Sequence, residues 1–140
     1  MTIADRFQSY ADAFELTYVD DDWGRLAQYF TEEATYDSGD GGAIAQGREA
    51  VLVKLAGAVN GLDRLMDSRQ VEFTELATKG DTVVTHWTAS FTKAGLPNLV
   101  LKGREVAVFE GDCIAQLTDT IPPEEIEVLM GWMGEHGDSL

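Results

Sequence analysis

The stretch Leu99–Ile121, LVLKGREVAVFEGDCIAQLTDTI, constrains this chain more than any other. It reads as two strands joined at the turn Glu110-Gly111-Asp112. Side chains alternate between the faces of a strand, so Leu99, Leu101, Gly103, Glu105, Ala107 and Phe109 share one face of the first. Ala115, Leu117, Asp119 and Ile121 share one face of the second. Each face is apolar except for a single acid. Burying a bare carboxylate is costly, so Glu105 and Asp119 must each be paired, protonated or turned toward a cavity. They are the candidate catalytic residues. Two structural alternatives stay open: Glu105 forms an ion pair with Arg69 or Arg104, or Asp119 caps the final helix near Pro122-Pro123. A bulge in the hairpin would also reverse the parity beyond it.

The rest of the chain supplies helices to cover such a sheet. Ile3, Phe7, Tyr10, Ala11, Phe14 and Tyr18 fall at helical spacing. Asp20-Asp21-Asp22 ends that helix and caps a short second one through Trp23, Leu26, Ala27 and Phe30. A strand over Ala34–Ser38 stops at the glycine-rich DSGDGG, and Gly47-Arg48-Glu49 opens a helix that buries Val51, Leu55, Ala58, Val59 and Leu62. From Met66 the period changes to two. Val71 and Phe73 begin a strand, and Thr82–Thr92 is a second, with Val83, Thr85, Trp87, Ala89 and Phe91 inward and His86 on the Thr-rich outer side. Pro122-Pro123 starts a final helix over 122–136 with Ile126, Leu129, Met130 and Met133 as its apolar stripe. Helices followed by collected strands imply an α+β domain spanning 1–140, with an antiparallel sheet packed by helices on one side.

Charge and composition narrow the partners. With 25 acids against 10 bases the net charge is −15, which argues against nucleic acid and anionic membrane surfaces. The N-terminus lacks the basic and apolar regions of a signal peptide, no apolar run spans a bilayer, and the single Cys113 cannot form an internal disulfide, so a reducing, cytoplasmic setting is expected. The glycines match no phosphate or dinucleotide loop, and His86 and His136 are too few and scattered for a metal site. No cofactor and no metal are expected.

The run DDDWGRLAQYFTEEATYDSGDGGAIAQGREAV resembles the opening of the nuclear transport factor 2-like fold, and VAVFEGDCIAQLTD is similar to its closing hairpin. The nearest flavour is the SnoaL-like group. The resemblance implies a curved sheet wrapped around helices to form a conical pocket, a hydrophobic and cyclic small-molecule ligand, and a homodimer through the outer sheet face. It also implies one of two functions: cofactor-free acid–base catalysis (cyclisation, isomerization or dehydration) or non-catalytic ligand binding or assembly. Carried over residue by residue, the base of ketosteroid isomerases falls on Ser38, with Asp37 one residue earlier and on the other face. Their oxyanion acid falls on Glu105 and their tyrosine on Phe14, which lacks the hydroxyl. The late aspartate of SnoaL-type cyclases and epoxide hydrolases matches Asp119, whereas the hydrolases' Arg and Asp fall on Trp87 and Ala89. That argues against epoxide hydrolysis. Arg69, sharing parity with Val71 and Phe73, is the candidate countercharge. Phe14, Tyr36, Ser38, Trp87, Phe91, Phe109, Leu117 and Ile121 are the expected pocket lining.

Overall fold

The computed structural model describes all residues from Met1 to Leu140. Helix α1 (Ile3–Asp20) begins with a capping box, in which the Thr2 hydroxyl accepts from the Asp5 amide and the Asp5 carboxylate from the Thr2 amide. The triple aspartate is used locally: Asp20 pairs with Arg25 at 2.5 Å, and Asp21 accepts from the Trp23 indole and Arg64. A 3₁₀ turn (Trp23–Tyr29) leads into β1 (Phe30–Asp37), four residues longer at its start than expected. Two residues, β2 (Ala45–Gln46), pair back onto Tyr36 and Thr35, so the glycine-rich segment is a hairpin loop. Helix α2 (Arg48–Gly61) buries Val51, Leu52, Leu55 and Val59 but leaves Ala58 exposed. The meander β3 (Ser68–Lys79), β4 (Thr82–Thr92), β5 (Leu99–Glu110) and β6 (Cys113–Thr120) follows, then α3 (Pro123–His136).

The sheet order is β2-β1-β6-β5-β4-β3. Every pairing is antiparallel except β1 with β6, so the expected antiparallel sheet is a mixed one. A bulge corrects one stretch of the predicted parity. Val108 faces Gln116 but Phe109 faces Ile114, leaving Ala115 as the extra residue. Ile114, not Ala115, therefore enters the core. Leu117 and Asp119 lie beyond the bulge and keep the inner face, because the register from Gln116 onward is regular.

Helix α3 also differs from expectation. Ile126, Met130 and Met133 are exposed, and the face toward the sheet runs through Leu129 and Trp132. Trp132 offers more apolar area than any residue of the expected stripe, and its indole N–H donates to the Pro97 carbonyl at 3.0 Å. The buried side chains form two clusters on the inner side of the sheet. One gathers Phe7, Tyr10, Leu26, Phe30, Val83 and Phe109 beneath α1 and α2. The other gathers Met66, Ala89, Phe91, Leu99, Leu101 and Trp132 beneath α3. No helix is long and apolar enough to cross a membrane.

Candidate functional site

A cavity of about 580 Å³ draws its walls from both clusters. Tyr10 and Phe14 of α1, Leu55 and Val59 of α2, and Phe91 and Leu101 of the sheet contribute, and 17 of its 26 lining residues are hydrophobic. Glu105 and Asp119 both reach it. They are direct partners across the β5–β6 ladder, on the same face. Cβ atoms of such partners lie about 5 Å apart, close enough for two carboxyl groups to share a proton.

Neither acid has a cation. Glu105 is 8% exposed and forms no ion pair. Burial, then the charge of Asp119 and the hydrogen bond to it, push the Glu105 carboxyl well above the usual carboxylate range. Burial also raises Asp119, but Glu105, the Tyr36 hydroxyl and the Trp87 indole all favour its ionised form and limit the rise. The phenol of Tyr36 donates to Asp119 Oδ2 at 2.8 Å, while Asp119 Oδ1 is buried without a hydrogen-bond partner. Two carboxyls this close cannot both ionise cheaply, and of the two the Glu105 carboxyl is held further toward its protonated form. The same two acids, after burial itself, raise the phenols of Tyr36 and Tyr10, which stay neutral donors.

Two glycines make room for this arrangement. Gly103 lies opposite Trp87, and a Cβ there would stand 2.1 Å from the indole. Gly39, at φ 75°, lets the chain pass Asp119; a Cβ would meet its carbonyl oxygen at 2.4 Å.

Of the sequence-predicted lining, Phe14, Tyr36, Ser38, Arg69, Trp87, Phe91, Leu117 and Ile121 line the cavity. Phe109 does not: it is buried in the first cluster, on the far side of the bulge from Asp119. Arg69 lines the cavity but is not the countercharge of the pair. Its guanidinium is held by Glu15 at 2.9 Å and Asp63 at 2.6 Å, and lies over the Tyr18 ring, 4.8 Å from the centroid. Burial raises the Asp63 carboxyl and the Arg69 charge opposes that rise. Arg104 is exposed on the outer face, and α3 follows Pro122 as its N-cap with no side-chain cap, so the ion-pair and capping alternatives for Glu105 and Asp119 have no geometry here. The sequence pattern assigns Tyr36 to the wall alone. Its hydroxyl role depends on the parallel β1–β6 register, which puts Tyr36 beside Leu117. His86 sits outside, 3.2 Å from Glu75. No group of three or more His, Cys, Asp or Glu side chains is placed to hold a metal ion.

The SnoaL-like domain model matches residues 7–118. The chain belongs to the SnoaL-like domain family. No curated protein sequence matches it significantly. Among solved structures, a LEH-like epoxide hydrolase of M. tuberculosis is similar at 14% identity and a TM-score of 0.64, covering 94% of this chain and 95% of that one. A putative SnoaL-like polyketide cyclase of Shewanella putrefaciens is similar at 10% identity and 0.67, covering 91% and 96%. The epoxide hydrolase/cyclase-like enzyme of pyran ring formation in salinomycin is similar at 18% identity and 0.64, covering 87% and 94%. At these identities the likeness is one of fold: a SnoaL-like, nuclear transport factor 2-like α+β architecture.

Proposed function

We propose that this SnoaL-like protein binds a neutral, hydrophobic, cyclic carbonyl compound and moves a proton on it without a cofactor. The observation that carries this is the Glu105–Asp119 pair: two directly opposed carboxyls, with no cation beside them, facing an apolar cavity. The Asp119 carboxylate, facing the cavity, takes a proton from the carbon beside the carbonyl. The electron pair of that C–H bond becomes the C=C bond of an enol and the carbonyl π pair moves onto oxygen, where the Glu105 O–H, turned from Asp119, stabilises or protonates it. Tyr36 fixes Asp119 through Oδ2 and keeps its anion available before the substrate arrives. Isomerization, cyclisation and dehydration differ only in what the resulting enol does next. The cyclase-type neighbours of this fold support the reading; the absence of an arginine beside the pair speaks against epoxide hydrolysis.

The test is deuterium exchange from solvent into the carbon beside the carbonyl of small cyclic ketones, read by mass spectrometry, with ligand binding measured in parallel. Wild type is expected to accelerate exchange and Asp119→Asn to abolish it while retaining affinity. Equal exchange in both would sink the catalytic reading. Binding without exchange in wild type would favour the alternative, a non-catalytic ligand-binding domain.

A further inference from the structure

Only two buried side-chain polar atoms in the protein lack a hydrogen-bond partner: Asp119 Oδ1 and Ser38 Oγ. Both belong to residues that line the cavity. They are also neighbours. Asp37 pairs with Thr118 in the parallel β1–β6 ladder, so Ser38 follows Tyr36 on the inner face as Asp119 follows Leu117. The close pass of Gly39 over the Asp119 carbonyl pins the two segments together at that point. Asp40, two residues on in the loop, accepts instead from the Gly42 amide at 2.8 Å. An unmade hydrogen bond at a buried site is costly, and two of them side by side on one cavity wall describe the complement of a ligand group.

We propose that Ser38 Oγ and Asp119 Oδ1 form a two-point subsite that reads a hydroxyl on the ligand. A hydroxyl is at once donor and acceptor. It gives its proton to the Asp119 carboxylate, which only accepts, and takes one from the Ser38 hydroxyl, whose hydrogen rotates freely. Ser38 is then a specificity-determining residue, separate from the acid pair. A carboxylate ligand fits poorly, since it would set charge against charge at Asp119, while the lining cations are engaged elsewhere: Arg69 by Glu15 and Asp63, and Lys54 by the Ala43 carbonyl. The inference rests on the reading that the cavity binds small neutral rings.

The experiment uses phenol and anisole, which differ in whether the ring oxygen carries a proton, with affinities measured by NMR titration of the intact protein. Wild type is expected to prefer phenol. Ser38→Ala is expected to weaken phenol by about 2- to 10-fold, the worth of one hydrogen bond, and to leave anisole unchanged. Ser38→Thr, which keeps the hydroxyl, is expected to restore the preference. Phenol and anisole falling together in Ser38→Ala, or neither changing, would overturn the subsite while leaving the cavity reading intact. If neither ring binds wild type, the cavity reading fails first and the subsite with it.

Discussion

Gly103→Ala is the sharpest test of how the site is built, because backbone propensity and packing predict opposite signs. Glycine inside a strand loses more conformational freedom on folding than alanine does, so the substitution alone should stabilise by about 0.5–1 kcal/mol. The geometry says otherwise. The new methyl would stand 2.1, 2.4 and 2.8 Å from three carbons of the Trp87 indole. Carbon atoms rest about 3.5–4.0 Å apart, so the ring must withdraw by more than about 1 Å. Trp87 is held directly opposite by the β4–β5 ladder and packs against the second core cluster, so the ring can withdraw only toward the cavity it lines, giving up those contacts. Overpacking of this kind costs about 1–3 kcal/mol, which outweighs the propensity gain. Urea unfolding followed by far-UV circular dichroism should show Gly103→Ala destabilised by about that amount. In a Trp87→Leu background the penalty should largely vanish, a coupling of about 1–3 kcal/mol between contacting residues. Stabilisation by Gly103→Ala, or the same cost in both backgrounds, would refute the reasoning.

Three further outcomes follow from the same contacts. Tyr36→Phe removes the donor to Asp119 Oδ2, and a hydrogen bond to a charged group is worth about 1.5–3 kcal/mol, so the Asp119 midpoint in a carbon-13 carboxyl titration should rise by about 1–2 units. An unmoved midpoint would show that the phenol does not hold the anion. Glu105 is raised in the folded state, so folding binds a proton and stability falls as pH climbs from about 5 toward the folded midpoint, by about 1.4 kcal/mol per unit. Glu105→Gln should flatten urea midpoints across that window, and parallel slopes would count against the buried-acid account. Arg69→Gln leaves Asp63 and Glu15 without their cation and should cost about 3 kcal/mol at pH 7. The cost should shrink as pH falls through the raised Asp63 midpoint, where that carboxyl no longer needs its cation, so a pH-independent cost would point to lost packing instead.

That Glu105 and Asp119 each face inward was legible from period two within each strand, but their direct opposition was not: the turn pairs Glu110 with Cys113, and only the extra residue at the bulge brings Asp119 opposite Glu105. Strand β4 was legible from the same period. What stayed hidden depends on distance in the chain or on choices between equal patterns. Ile114 and Ala115 are both apolar, so the bulge between them left no mark in the sequence. Two faces of α3 carry apolar residues at helical spacing, and only the docking of Trp132 on Leu99 and Leu101 selects between them. Arg69 finds its partners on a helix and a turn that parity within β3 cannot see. The Tyr36 hydroxyl needed the parallel pairing of β1 with β6, which no local rule gives.

That parallel pairing also bears on how the molecule is made. Tyr36 and Asp119 are 83 residues apart in the chain, whereas β3 to β6 are joined by successive hairpins. Closing a long loop must precede any reward from its contacts, so the hairpins are expected to assemble early and β1 to dock late. Core truncations in β4 and β5 should then slow folding, while those in β1 should mainly speed unfolding, a contrast that chevron kinetics would read directly. Until β1 arrives, β6 is an unpaired edge open to other chains, so slow docking makes aggregation the competing fate of the nascent protein. The acid pair is thus expected to form early with its hairpin, and the Tyr36 hydrogen bond that holds Asp119 to mark the completed fold.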